Sequence, residues 1–449
     1  MRRWLLAVSV AALVFGSGRD LAAQSHDEAV SLSLHEAITR GLEASHRLAE
    51  VTARGEMAAA VVDERHAVTL PRLSAQAGYS RTNHVDAFGV LLPNNQLRII
   101  YPDIPDNYRG RLDAQWALYS GGRLQALERA ARSEAKAADF DRGATRVDLR
   151  LDIARVYWGL VAAIASRDVL DQSLRQADAH VRDTENRLRS GLVPPNEVLS
   201  AEAQRARQRM LRVQAAAQCD VAEAALGRLV GLPPGVRPVP TSALEPAVME
   251  APPMDRFDQL LRSAREDRAD RQALAERVTT TELRGTAAAA GRRPTVALGA
   301  GIDLARPNPR IFPRDGNWRS SWDVGVAVDW PIFDGGRARA EIAETAASRR
   351  AAEARLREID SLLSFEVRQR LSELESSRAA LSAANQAAAA ATEARRVVAN
   401  RFEAGVATST DVLDAQLAVL QAGLDRTEAL AAWRIAEAGL TRAMGRAGP

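Results

Sequence analysis

Apolar and polar residues change period several times along the chain, and the changes come in two matching series. After Pro71, Leu73, Ala75, Ala77 and Tyr79 alternate with Arg72, Ser74, Gln76 and Gly78; further on, Leu112, Ala114, Trp116 and Leu118 alternate with Arg111, Asp113, Gln115 and Ala117. In the second series Val296, Leu298, Ala300 and Ile302 alternate with small or polar neighbours, and Trp322, Val324, Val326, Val328 and Trp330 with Asp323, Gly325, Ala327 and Asp329. A period of two predicts strands with one apolar and one polar face. Beyond each second strand the period becomes helical: Leu149, Ile153, Val156, Leu160 and Ile164 step by three or four, as do Leu356, Ile359, Leu363, Val367, Leu371 and Leu374. No proline interrupts Arg123 to Ser190 or Arg337 to Ala404, so each is expected to be one helix of 68 residues, about 100 Å long at a rise of about 1.5 Å per residue. Such lengths suit coiled coils or tubes that cross a wide space. Shorter helices are expected over Leu34 to Val68, Asn196 to Leu229, Asp255 to Ala290 and Thr410 to Met444.

The two series are an internal repeat. Trp116-Ala-Leu-Tyr-Ser-Gly-Gly-Arg123 is echoed by Trp330-Pro-Ile-Phe-Asp-Gly-Gly-Arg337, an offset of 330 − 116 = 214. Arg187-Leu-Arg-Ser-Gly191 with Glu197-Val-Leu199 matches Arg401-Phe-Glu-Ala-Gly405 with Asp411-Val-Leu413 at the same offset. Upstream, Pro71 and Pro294 differ by 223, so the first copy carries nine extra residues before Trp116, which are expected in a loop. A proline-rich stretch from Gly231 to Pro253 cannot continue a helix and is read as the linker between the halves.

Composition narrows the function. Arg2 and Arg3, the apolar run Trp4 to Phe15 and small residues ending in Leu21-Ala22-Ala23 form the three-part pattern of a secretory signal peptide, so export is expected with residues 1–23 removed. No later stretch has the roughly 18 consecutive apolar residues of a membrane helix, so any membrane span must be built from strands. Cys219 is the only cysteine, and no intrachain disulfide is possible. The formal net charge is +3 with a single lysine, Lys136; acids are interleaved with the arginines throughout, which argues against a nucleic-acid site. Gly121-Gly122 and Gly335-Gly336 lack a following Gly-Lys-Ser/Thr and are read as tight strand-to-helix turns. The six histidines have no metal-ligand spacing and no nucleophile sits with a base, so neither an enzyme nor a cofactor is expected.

Strands with one apolar face cannot leave an open edge in lipid and must close into a barrel of at least about eight strands. One chain supplies four, so closure requires further copies: eight strands from two or twelve from three. Trp116, Trp322 and Trp330 suit an interfacial aromatic girdle.

The two junctions ending in Gly-Gly-Arg, the two helical tips ending in Gly191-Leu-Val and Gly405-Val-Ala, the tandem halves, the central linker and the signal peptide together resemble the outer membrane efflux proteins of the TolC family, over essentially the whole mature chain. The resemblance implies a mainly α protein with β: a homotrimer whose 12-stranded outer-membrane barrel, four strands per chain, continues into a long periplasmic α-helical barrel. It implies that one long helix of each repeat runs beside two shorter helices stacked end to end. The chain would divide into a first repeat (24–230), an equatorial linker (231–254) and a second repeat with a C-terminal tail (255–449). The implied function is a passive export duct in the cell outer membrane, served by a periplasmic adaptor and an inner-membrane transporter. Within the class, the exit duct of a type I protein secretion system is the alternative; outside it, a coiled-coil envelope protein that is no channel.

Asp411 and Asp414 lie three apart on one helical face, so three chains would focus six carboxylates near an axis. The family's periplasmic aperture is closed by aspartates in the same Asp-Val-Leu-Asp arrangement, which implies a gate at Asp411 and Asp414. Helix capping is the competing reading for Asp411, because Thr408-x-x-Asp411 fits a capping box; it does not explain Asp414. In the first copy Glu197 keeps the acid and Ser200 does not, and Ala407 stands where the family often has a basic residue. Gly191 and Gly405 end long helices, where a left-handed residue is needed. In the family these tips meet the adaptor, which implies contacts at Gly191, Leu192, Val193, Gly405, Val406 and Ala407.

Overall fold

A computed structural model describes residues 29–243 and 257–446. The signal-peptide region and the linker beyond residue 243 lie outside the described residues. The elements run β1 (Ala29–Leu32), α1 (Leu34–Glu43), α2 (His46–Ala67), β2 (Arg72–Arg81), β3 (Phe88–Leu91), β4 (Leu97–Tyr101), β5 (Asp106–Tyr119), α3 (Arg123–Arg189), α4 (Pro195–Leu229), β6 (Arg237–Pro240), α5 (Phe257–Asp267), α6 (Ala269–Ala290), β7 (Thr295–Arg306), β8 (Arg319–Asp329), α7 (Arg337–Glu403) and α8 (Ser409–Ala443). The two long helices are unbroken at 67 residues each, as the proline-free periodicity requires.

Three expectations are corrected. The segment from Leu34 to Val68 is two helices, because Ser45 leaves helical geometry and its side chain caps the second by accepting from Leu48 N–H. The segment from Asp255 to Ala290 breaks likewise at Arg268. These breaks are repeat-equivalent, 268 − 45 = 223, the same offset as the two prolines. The extra length of the first copy is not a plain loop: it includes the hairpin β3–β4, closed around Asn95 in left-handed geometry (φ 60°).

Four strands form one antiparallel sheet in the order β2-β5-β7-β8. The register puts Leu73, Leu112, Trp116, Leu298, Ile302, Trp322, Val324, Val326 and Val328 on one face, and Gln76, Arg111, Asp113, Asp303 and Asp323 on the other. Exposure is inverted relative to a soluble sheet. Ile302 and Leu304 are 57% and 51% exposed while their neighbours Asp303 and Ala305 are 2% and 1% exposed. An apolar face left open with the polar face covered suits a sheet whose outer solvent is hydrocarbon. Trp116 and Trp330 anchor its base equivalently, their indole N–H groups donating to the carbonyls of Thr69 (3.0 Å) and Arg292 (3.3 Å).

Each strand-to-helix turn uses two left-handed glycines, Gly121 and Gly122 (φ 65° and 89°) and Gly335 and Gly336 (φ 68° and 90°), a geometry that costs other residues about 1–2 kcal/mol. In the helical layer α2 and α4 flank α3 on one side, α6 and α8 flank it on the other, and α7 packs beyond these. The lateral order of the helices thus repeats that of the strands they join, β2 with α2, β5 with α3, β7 with α6 and β8 with α7. The short helices meet end to end: Gly231 (φ 68°) closes α4 against Ala44, and Gly445 (φ 72°) closes α8 against Asp267 and Arg268.

The core is thickest at these mid-height junctions. Leu32, Ile38, Ile153, Tyr157, Leu160 and Leu226 form an apolar cluster where α1 and the parallel pair β1–β6 wrap α3. There the Tyr157 hydroxyl donates to the Leu32 carbonyl (3.0 Å) and accepts from Ser242 N–H (3.2 Å). The second half has its own apolar cluster, with Leu371, Leu374, Leu430, Trp433 and Leu440, and adds charge beside it: Arg268, 4% exposed, pairs with Asp270 and Glu366, and Arg442 bridges Glu366 and Asp148.

A Cβ on Gly231 would stand 2.5 Å from Ala44 Cβ, whereas one on Gly191 would meet nothing within 4 Å. Gly191→Ala is therefore expected to cost about 1–2 kcal/mol, the left-handed penalty alone, and Gly231→Ala distinctly more; thermal unfolding of the two variants checks the order.

Candidate functional site

Two regions concentrate polar and exposed residues at equivalent places in the two copies: the polar face of the sheet and the tips of the long helices. On the sheet, alternation brings charges from three strands together. Arg109 Nε donates to Asp303 (2.7 Å), and Arg111 donates to Asp113 (2.6 Å), to Asp303 and to Asp323 (3.1 Å). Arg310, in the loop after β7, reaches Asp323 at 2.8 Å. Gly301 makes room for this: a Cβ there would collide with the Arg111 guanidinium. Three arginines thus neutralise three aspartates across β5, β7 and β8, leaving a polar wall with little free charge.

At the opposite end α3 and α7 stop in the same way. Gly191 and Gly405 are left-handed (φ 70° and 74°), and Leu192 and Val406 N–H return to the carbonyls of Arg187 and Arg401, each at 2.9 Å, the Schellman pattern that glycine permits. Leu192 and Val406 stand 73% and 63% exposed at the turns, with Val193 and Ala407 half-buried behind them.

The next helix begins differently in the two copies. Thr408 caps α8 in a full capping box, its Oγ1 accepting from Asp411 N–H (3.2 Å) while Asp411 Oδ2 accepts from Thr408 N–H and O–H, each at 2.8 Å. These bonds hold the Asp411 carboxyl below the usual carboxylate range. Proline at the equivalent position 194 gives α4 no side-chain cap. Asp414, one turn further along α8, is exposed and makes no hydrogen bond or ion pair among the described residues. Capping therefore accounts for Asp411 and leaves Asp414 without a structural task.

The sequence reading missed the contacts that join the two tips. His180 on α3, 7% exposed, shares a 2.9 Å hydrogen bond with Ser409 Oγ at the start of α8, and its ring lies 5.8 Å from that of Phe402 at the end of α7. The Arg187 guanidinium covers Phe402 at 4.0 Å and pairs with Asp183. A lone histidine carries no motif. The available signal was His180 and Thr184 at helical spacing, which places both on one buried stripe.

A model of the outer membrane efflux protein family matches residues 37–232 and 260–446. The chain belongs to that family. No curated protein sequence matches it. Among solved structures its fold is similar to the outer membrane protein VceC from Vibrio cholerae, at 23% identity over 92% of this chain and 96% of that one, with a TM-score of 0.75. It is similar to the CmeC outer membrane channel of Campylobacter jejuni, at 17% identity over 92% and 85%, TM-score 0.76. It is also similar to the open state of the Neisseria gonorrhoeae MtrE outer membrane channel, at 20% identity over 98% and 96%, TM-score 0.73. At these identities the likeness shows the fold: an outer membrane efflux protein with a β-sheet domain continuous with a long helical one. Membership of the family makes it an outer-membrane protein with a periplasmic helical extension.

Two outcomes follow for the tip. Thr408→Ala should lower stability by about 1 kcal/mol, the usual worth of an N-cap. Because the folded state holds Asp411 ionised, its contribution is complete above the ordinary carboxylate value and fades as pH falls through the lowered one. Asp411→Asn should therefore lower the melting temperature at pH 7, with a deficit that shrinks below about pH 4; melting curves across that range check the sign.

Proposed function

We propose that three copies of this chain close into a passive outer-membrane export channel of a tripartite efflux system. The observation that carries the reading is the matched openness of both layers. The sheet ends in unpaired edges at β2 and β8, and the helical layer ends in α2 with α4 on one side and α7 on the other. Joining the last element of one copy to the first of the next is a head-to-tail contact, which either closes into a ring or runs on as a filament. Both layers present the same order, so one rotation closes both. Twelve helical rods about 10 Å apart make a circle about 38 Å across, leaving a bore of about 28 Å. Twelve strands tilted by about 40° make a barrel about 24 Å across between backbones. The two tubes join without a step too large for the Gly-Gly turns.

The lumen is lined by the polar sheet face, and lipid covers the apolar one. The work of export comes from an inner-membrane transporter acting through a periplasmic adaptor. The tip residues Gly191, Leu192, Val193, Gly405, Val406 and Ala407 are the adaptor contacts: Leu192 and Val406 expose apolar side chains at two equivalent turns, a surface that suits a protein partner. Asp414, with Asp411 one turn before it, forms the constriction. Six carboxylates around a threefold axis repel one another and attract cations.

Purified full-length protein should conduct in a planar bilayer with a small cation-selective conductance, and the Asp411→Ala, Asp414→Ala double variant should conduct more and lose selectivity. A channel indifferent to the change would remove the aspartates from the aperture, and no channel at all would overturn the conduit. Val326→Arg should cost about 2–4 kcal/mol of barrel stability and reduce the yield of trimer from membranes, whereas Gly325→Ser on the opposite face should not.

A further inference from the structure

His180 is the one buried imidazole at the tip, and it joins the halves of the repeat. Its Nε2 shares a hydrogen bond with Ser409 Oγ, at the first residue of α8, and Ser409 is itself 2% exposed. On its other side lies Phe402, the penultimate residue of α7, 6% exposed and roofed by Arg187. One side chain of α3 therefore touches the end of α7 and the start of α8, two residues before Asp411. We infer that His180 is a proton-operated latch, neutral when it holds the α7–α8 tip against α3 and protonated when that tip swings away. The inference rests on the aperture reading above.

The charges around the ring set the sign. On α3, Asp183 favours a protonated ring and Arg187 opposes it, and these two already pair with each other at 3.0 Å. On α7, Arg401 and Glu403 flank Phe402 but are exposed; on α8 the first charged group, Asp411, is exposed and committed to Thr408. The N-terminal end of α8 adds partial positive charge beside the ring. Burial is the largest influence and pushes the imidazole below its ordinary value. The latched state thus binds the proton less readily than the released one. Latching is complete above the ordinary histidine value of about 6.5 and weakens as pH falls through and below it. Each unit by which latching depresses the ring is about a tenfold change in the latch equilibrium. This window lies well above that of the aspartates, so the two effects separate.

The test is single-channel conductance of the full-length protein in planar bilayers at pH 7.5 and pH 5.5, for the wild type, His180→Gln and His180→Asn. The wild type should spend severalfold more time in its larger conductance state at the lower pH, and both variants, which keep a polar partner for Ser409 but cannot titrate, should show one behaviour at both values. In parallel, the ring carbon signals of His180 in detergent-solubilised protein should titrate below those of an exposed histidine. Equal pH dependence in wild type and variants would overturn the latch while leaving the channel standing, as would a His180 titration at the ordinary value. Failure of every protein to conduct would remove the channel and the latch together.

Discussion

A β-sheet whose apolar face is open and whose two edges carry unpaired backbone groups has no stable form alone, in water or in lipid. In water the face that includes Trp322, Val324, Val326 and Val328 would aggregate; in hydrocarbon the free N–H and C=O groups of β2 and β8 would each cost several kcal/mol. The rest of the structure is arranged around that constraint. On the opposite face Arg109, Arg111 and Arg310 pair with Asp113, Asp303 and Asp323 and tie β5, β7 and β8 together. The helices extend each strand in its own lateral position, so a contact that pairs β8 with a neighbour's β2 also brings α7 to a neighbour's α2 and α4.

Duplication makes this economical. Each half supplies two strands, one long helix and a stacked pair, and the same joints recur: a glycine pair into the long helix, a Schellman turn at the tip, a glycine at the end of the lower helix packed on the break in the upper one. The halves diverge where they do different work. At mid-height both have an apolar cluster, but the first adds the buried Tyr157 hydroxyl while the second buries Arg268 against Asp270 and Glu366. At the tip only the second half has the threonine cap, the aspartate pair and the phenylalanine that His180 contacts. The asymmetry gives the α7–α8 tip a defined position against α3.

Strand alternation, proline-free helical runs and a constant offset of 214 residues are local or periodic properties, and the sequence by itself determined from them the four membrane strands, the two long helices and the tandem plan. It also determined the capping role of Asp411, because Thr408-x-x-Asp is a local pattern. Tertiary structure decided what depends on distant partners. The ends of α4 and α8 pack on the helix breaks at Ser45 and Arg268, a contact that no periodicity announces. The covered charges of the sheet, with Arg111 and Asp303 separated by nearly two hundred residues, appear only when register is set. His180 is the clearest case: one histidine in a 67-residue helix has no meaning until packing brings Ser409 and Phe402 to it. A titratable group acquires its function from what buries it, and burial is a property of the assembled fold.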